Sequence, residues 1–135
     1  MIAAVDSSII LDILLNDQEY VEQSMNLLVK YHLKGSIIIS PIVFSECAAS
    51  LKNPDIFGDI MDEMGLQYQP LTPDICKLAA KFWHQYRIKG GARKRILADF
   101  LNGAHAQIIA GILLTRDRGF YKNYFTELQI IAPKK

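Results

Sequence analysis

The feature that most restricts what this chain can become is ADFLNGAHAQIIAGILLTRD, Ala98 to Asp117, which reads as one helix and one buried strand with an acid at each outer end. Leu97, Leu101, Ala104 and Ile108 recur at helical spacing, and Gly111 supplies a stop. Ile112 to Leu114 is an unbroken apolar run closed by Thr115, Arg116 and Asp117, the pattern of a strand covered on both faces. Such a strand belongs in a parallel sheet under helices, where each crossover helix runs antiparallel to its strands. A helix start and the end of the next strand then share one edge, so Asp99 and Asp117 are expected to be neighbours although 18 positions separate them. That edge, beyond the carboxyl ends of the strands, is where open sheets of this class bind ligands.

The remainder of the chain repeats the alternation. Ile2 to Val5 reads as a strand with Asp6 at its end, and Ser7 and Ser8 as caps for a helix carrying Ile9, Ile10, Ile13 and Leu14. A second helix is expected from about Glu19 to Leu33, with Tyr20, Ser24, Leu27, Leu28 and Tyr31 facing inward and Gly35 ending it. Ser36 to Ser40 is β-branched and continuous, an inner strand. Ser40-Pro41 starts a helix to about Leu51, and Asn53-Pro54 starts another that Gly65 stops. A short strand over Leu66 to Leu71 precedes Thr72-Pro73 and a helix to Ile88, whose inner face is Ile75, Leu78, Ala79, Phe82 and Tyr86. Gly90-Gly91 is the sharpest break. Phe120 to Phe125 reads as a turn or short helix packing aromatic rings on the sheet, and Leu128 to Ala132 as a last strand ended by Pro133. The expectation is one α/β domain over residues 1–135, a three-layer α/β/α arrangement with a mostly parallel five-stranded sheet.

With 135 residues, half of them hydrophobic, the chain suits one domain with a substantial core. A net charge of +1 excludes a uniformly basic coat, so any nucleic-acid contact must come from local patches. Cys47 and Cys76 show no C-x-x-C spacing and no paired histidines, which suggests neither zinc nor redox chemistry but two buried thiols in a reducing cytoplasm. His32, His84 and His105 are scattered and read as packed or surface residues. Met1 leads straight into a short apolar segment without the basic start and long apolar core of a signal peptide, and no run approaches the ~20 residues of a membrane span. A cytoplasmic location is the expectation.

On this reading Asp6 ends the first strand, Glu46 lies a turn or two into the helix after the second, Asp99 begins the helix before the fourth, and Asp117 ends the fourth. Four carboxylates at one edge raise one another's pKa, and a hard divalent cation is the simplest way to keep them ionised. Oxygen-only donors suit Mg2+ or Mn2+, and the lack of positioned cysteine or histidine argues against zinc. A carboxylate-bound pair of such ions can generate hydroxide and clamp a phosphodiester for in-line displacement.

Each acid alone has an ordinary explanation: Asp99 as a first-turn acid, Asp6 as an Asx-turn residue, Asp117 as a turn former before Arg118-Gly119. Glu46 is the most telling, because it stands in the apolar stretch Ile42 to Ala48. Ser7 and Thr115 are candidates to orient a carboxylate or a metal-bound water, with capping and β-propensity as their simpler readings. Asp12 reads as a residue of a solvated face rather than a fifth acid. Arg93, Lys94, Arg95, Arg116 and Arg118 flank the helix start and the strand end and are candidates to hold substrate phosphates, against the ordinary reading of a charge run as a solvated face.

These residues resemble a PIN domain, and more narrowly the toxin ribonucleases of VapBC-type toxin-antitoxin pairs. VDSS with Asp6, Ser45-Glu46, ADFLNGAHA with Asp99 and LLTRDRGFY with Asp117 stand in that family's order, and the resemblance spans essentially the whole chain. It implies a Mg2+- or Mn2+-dependent endoribonuclease whose acids are Asp6, Glu46, Asp99 and Asp117, on a parallel sheet of about five strands. It also implies a homodimer, a small antitoxin whose tail occupies the active-site groove, and attack by a metal-bound water that leaves a 5′-phosphate and a 3′-hydroxyl. Members differ in whether the residue equivalent to Asp117 touches metal directly. A receiver domain would want an aspartate ending the third strand and paired acids after the first, which Tyr68-Gln69-Pro70 and Val5-Asp6-Ser7 do not supply. A haloacid-dehalogenase-like phosphatase would want D-x-D, and position 8 is Ser. A PIN fold serving as a non-catalytic RNA- or protein-binding module is the alternative, opposed by the intact acid set.

Overall fold

In the computed structural model, which describes residues 1–90 and 95–134, the alternation read from the sequence closes into a single sheet. In chain order the elements are β1 (Ile2–Val5), α1 (Ser7–Leu14), α2 (Val21–Lys34), β2 (Ser36–Ile39), α3 (Pro41–Ala49), a 3-10 turn (Pro54–Ile56), α4 (Phe57–Glu63), β3 (Leu66–Tyr68), α5 (Pro73–Ile88), α6 (Leu97–Ile109), β4 (Ile112–Leu114), α7 (Arg118–Tyr124) and β5 (Gln129–Ile131). All pairings are parallel, in the spatial order β3-β2-β1-β4-β5.

Local chemistry sets the boundaries. Ser40 and Thr72 each precede a proline at the first helical position and accept from the backbone N–H three residues on, at 3.1 Å from Val43 and 3.3 Å from Ile75. Gly111 ends α6 at φ +82°, a conformation that suits residues without a Cβ, and its N–H reaches the Ala106 carbonyl at 2.8 Å.

The strands are apolar throughout because both faces are covered. Ala3, Val5, Ile37, Ile39 and Leu114 pack under α1 to α4, while Ala4, Ile38 and Leu113 pack under α5 to α7. The first two crossovers thus lie on one face and the third on the other, so the winding reverses between β1 and β4. At such a reversal the loops diverge above the carboxyl ends of the two strands and leave a crevice.

Four local expectations are corrected. The buried face of α6 is Phe100 and Asn102 to Ala106, whereas Leu97 and Ile108 are 43% and 47% exposed. Gly103, Ala104 and Ala106 are small enough for α6 to lie close to its neighbours, and a Cβ on Gly103 would stand 2.3 Å from the Phe125 ring. That close approach, together with the fully buried Phe100 ring, selects the inward face. β3 ends at Tyr68 instead of reaching Leu71: the Gln69 N–H still donates to the Ile39 carbonyl at 2.9 Å, but Pro70 has no N–H with which to continue the ladder. Cys47 is buried as expected, but Cys76 lies on the exposed side of α5. Asp12 is not on a solvated face: it is 2% exposed. Among the described residues no helix is long and apolar enough to cross a membrane.

Candidate active site

Asp6 follows β1 directly, and its N–H donates to the Leu114 carbonyl at 2.9 Å, which carries the β1–β4 register one residue past the strand. Asp6 is 8% exposed, and both of its carboxylate oxygens accept hydrogen bonds. Oδ1 accepts from the Ser7 N–H at 2.9 Å and from Asn102 Nδ2 at 3.2 Å, and Oδ2 accepts from the Thr115 hydroxyl at 2.7 Å. Burial raises the Asp6 pKa from 3.8 to about 6; the Thr115 and Ser7 hydrogen bonds pull it down, and the nearby charges of Glu46 and Asp117 push it up again.

The two hydroxyl candidates thus differ. Ser7 holds Asp6 through its backbone N–H, and Asp6 rather than Ser7 or Ser8 takes the N-cap position of α1. Thr115 lies just beyond β4, and its oxygen also accepts the Asp117 N–H at 3.0 Å, so one side chain links the two acids through a turn rather than along a strand.

Asp99 accepts from the Ile96 N–H at 2.9 Å and so caps its own helix. Glu46 is exposed on α3, opposite the Val43, Cys47 and Ala48 side of that helix. The apolar residues around it in sequence belong to the buried side and the margins of the helix. Asp117 receives both terminal nitrogens of Arg95, at 2.6 and 3.1 Å, and the guanidinium lies 4.3 Å above the Phe120 ring. Asp6, Glu46, Asp99 and Asp117 nevertheless line one cavity of about 360 Å³, together with Asn102, Arg116 and Tyr121.

Of the basic candidates, Arg116 is held by Asp12 through Nε at 3.0 Å and Nη2 at 2.8 Å and stacks 4.2 Å above Tyr20. Arg118 faces a separate recess with Lys122 and Phe125. Arg93 and Lys94 lie outside the described residues.

Three residues of this network escape sequence reasoning. Asn102 stands one turn after Asp99 on α6, Tyr121 sits in the aromatic run of α7, and Asp12 joins Arg116 to the Ser24 hydroxyl, 2.6 Å away. An amide among the small residues Gly103, Ala104 and Ala106 was the available signal for Asn102. Tyr121 had only its place at the end of LLTRDRGFY, and Asp12, weighed as a fifth acid, gave no sign of its partners Ser24 and Arg116.

The donor chemistry fits a hard cation: carboxylate and hydroxyl oxygens. Burial, reinforced by Glu46 and Asp6, pushes the nearby Cys47 thiol up to about 12, so it is no thiolate ligand. His105 instead bonds the Gln69 carbonyl at 2.9 Å. Among the described residues no three Asp, Glu, His or Cys side chains already converge as a ligand cage. Asp117 is turned to Arg95 and Asp99 to its own first turn.

The sequence matches the PIN domain family over residues 3–126. No curated protein sequence matches the chain. Among solved structures, VapBC2 from Rickettsia felis bound to a promoter DNA fragment superposes with a TM-score of 0.73 at 18% identity, covering 99% of this chain and 100% of that one. VapBC-1 from nontypeable Haemophilus influenzae gives 0.72 at 16%, covering 98% of each chain. VapC20 from Mycobacterium tuberculosis, a sarcin-ricin loop cleaving toxin, gives 0.68 at 14%, covering 94% of this chain and 98% of that one. At these identities the likeness is one of fold, and together with the family match it leads to one conclusion: this chain belongs to the PIN domain family.

Proposed function

We propose that this protein is a divalent-metal-dependent endoribonuclease of the VapC toxin type, with Asp6, Glu46, Asp99 and Asp117 as its acids. The observation that carries the reading is that these four side chains, from four separate segments, line one cavity where the sheet winding reverses. Asp6, Glu46 and Asp99 would hold Mg2+ or Mn2+. Asp117 joins them only when Arg95 releases it, which makes its contact with metal the conditional one. A bound ion of this kind supplies Lewis acidity toward water and phosphate.

The protein's own residues do the rest. The Ser7 N–H, the Asn102 amide and the Thr115 hydroxyl fix the Asp6 carboxylate and favour its ionised form. Arg95, beside the cavity, is the described cation best placed to exchange its carboxylate partner for a substrate phosphate. In this reading a small antitoxin restrains the enzyme, the active form is a homodimer in the cytoplasm, and the products carry a 5′-phosphate and a 3′-hydroxyl.

A non-catalytic binding module is the second reading, and the absence of a ready-made cage among the described residues favours it. One assay separates the two. The purified chain is incubated with RNA in Mg2+, Mn2+ or EDTA, beside Asp99→Asn. Cleavage that needs metal and is lost in the variant is expected; cleavage that persists in EDTA or in the variant sinks the assignment, and RNA binding without cleavage favours the module.

A further inference from the structure

Asn102 orders a chain of hydrogen bonds whose directions are all determined. The Val43 N–H donates to Ser40 Oγ at 3.1 Å, and the Ser40 hydroxyl donates to Asn102 Oδ1 at 2.8 Å. The Asp6 carboxylate on the other side of the amide only accepts, which fixes the end facing it as NH2 and the end facing Ser40 as oxygen. Asn102 Nδ2 then spends its two hydrogens on Asp6 Oδ1 at 3.2 Å and on the Tyr121 hydroxyl at 3.0 Å. The Tyr121 oxygen is therefore an acceptor toward Asn102, and its own hydrogen goes to none of the hydrogen bonds found among the described residues. Tyr121 is 3% exposed, with a ring held against Phe120 and Phe125, and it lines the acid cavity. A buried O–H needs an acceptor.

The chemistry of the cavity narrows what that acceptor is. An anionic substrate group entering between four carboxylates needs donors, yet Arg116 is held by the buried Asp12, and Arg95 can donate only by giving up Asp117. Tyr121 offers a neutral donor that no acid among the described residues occupies. We propose that the Tyr121 hydroxyl, oriented by Asn102, donates a hydrogen bond to a phosphate oxygen of the bound nucleic acid, which makes Tyr121 a substrate-binding residue and Asn102 its positioning residue. This deepens the nuclease reading and rests on it for substrate class.

The test compares wild type, Tyr121→Phe, Asn102→Ala and the double variant. Three readouts are taken: RNA cleavage in Mn2+, anisotropy of a fluorescein-labelled deoxyadenosine oligonucleotide in Ca2+, and Mn2+ affinity by calorimetry. Tyr121→Phe keeps the ring in its aromatic setting and should lower kcat/KM and oligonucleotide affinity about 10- to 100-fold, the size of one hydrogen bond to a charged group, with Mn2+ affinity unchanged. With Asn102→Ala already present, adding Tyr121→Phe should cost less than about twofold, since the phenol is no longer held. Cleavage and binding within twofold of wild type would overturn the proposal, as would a fall in Mn2+ affinity that matches the fall in activity. Losses that multiply in the double variant would remove Asn102 as the positioning residue. If wild type cleaves no RNA, the nuclease reading fails by itself, and oligonucleotide binding still decides whether Tyr121 touches phosphate.

Discussion

Two arginine–aspartate pairs flank the cavity, and they differ in one physical respect. In each, a guanidinium meets a carboxylate through two nitrogens and lies over a ring, Arg116 over Tyr20 and Arg95 over Phe120. Asp12 is 2% exposed in its pair, with Arg116 at 34%; Asp117 is 37% exposed in its pair, with Arg95 at 30%. The buried carboxylate also takes the Ser24 hydroxyl, so that pair ties α1, α2 and the turn after β4 together. The open pair ties only that turn to the start of α6, and water can screen it. Identical chemistry thus serves architecture on one side of the cavity and leaves an exchangeable ligand on the other.

The largest effect should come from breaking the buried pair. Arg116→Met strands a carboxylate in the interior, and a loss of about 3 kcal/mol is expected. That corresponds to a fall in Tm on the order of 10 °C by thermal denaturation. A Tm within a few degrees of wild type would show that Asp12 finds water or another donor.

Nearly as large is the effect of the acid between the two pairs. Asp6 binds its proton more tightly folded, at a pKa of about 6, than unfolded at 3.8. Its ionisation therefore costs stability, which falls as pH rises from about 4 to 6 and stays lower above that. In EDTA, Asp6→Asn should be more stable than wild type by up to about 3 kcal/mol at pH 8, with the difference vanishing below pH 4. Denaturant melts across pH measure it, and a constant difference would contradict the burial argument. By the same linkage Mn2+ affinity in wild type should weaken by about tenfold per pH unit below 6, because the ion must displace that proton. Calorimetric titration checks this.

The smallest change in stability should come from the open pair. Arg95→Met should shift stability by less than about 1 kcal/mol, while Mn2+ affinity rises because Asp117 is freed. Unchanged affinity would mean that Asp117 is no part of the metal site.

Legibility followed the range of the interactions. The strands β1, β2 and β4, the proline-initiated helices α3 and α5, and the Gly111 stop were readable because capping, proline geometry and apolar runs act within a few residues. The shared edge of Asp6, Asp99 and Asp117 followed from the handedness and direction of crossovers. Which face of α6 turns inward was not readable, since Gly103 and Phe125 decide it across 22 positions. Nor were the partners of the charged residues: Arg116 looked like a phosphate ligand only as long as Asp12 looked solvated.

What the amino-acid order by itself determined is the succession of elements and the edge at which the acids collect, because strand direction follows from local patterning once the sheet is parallel. What only the tertiary structure decided is the state of each acid. Asp6 is buried and bonded by Thr115 and Asn102, Asp117 is covered by Arg95, and Asp12 is withdrawn to hold Arg116. Burial and pairing depend on side chains brought together from distant segments, and no window of sequence contains both partners.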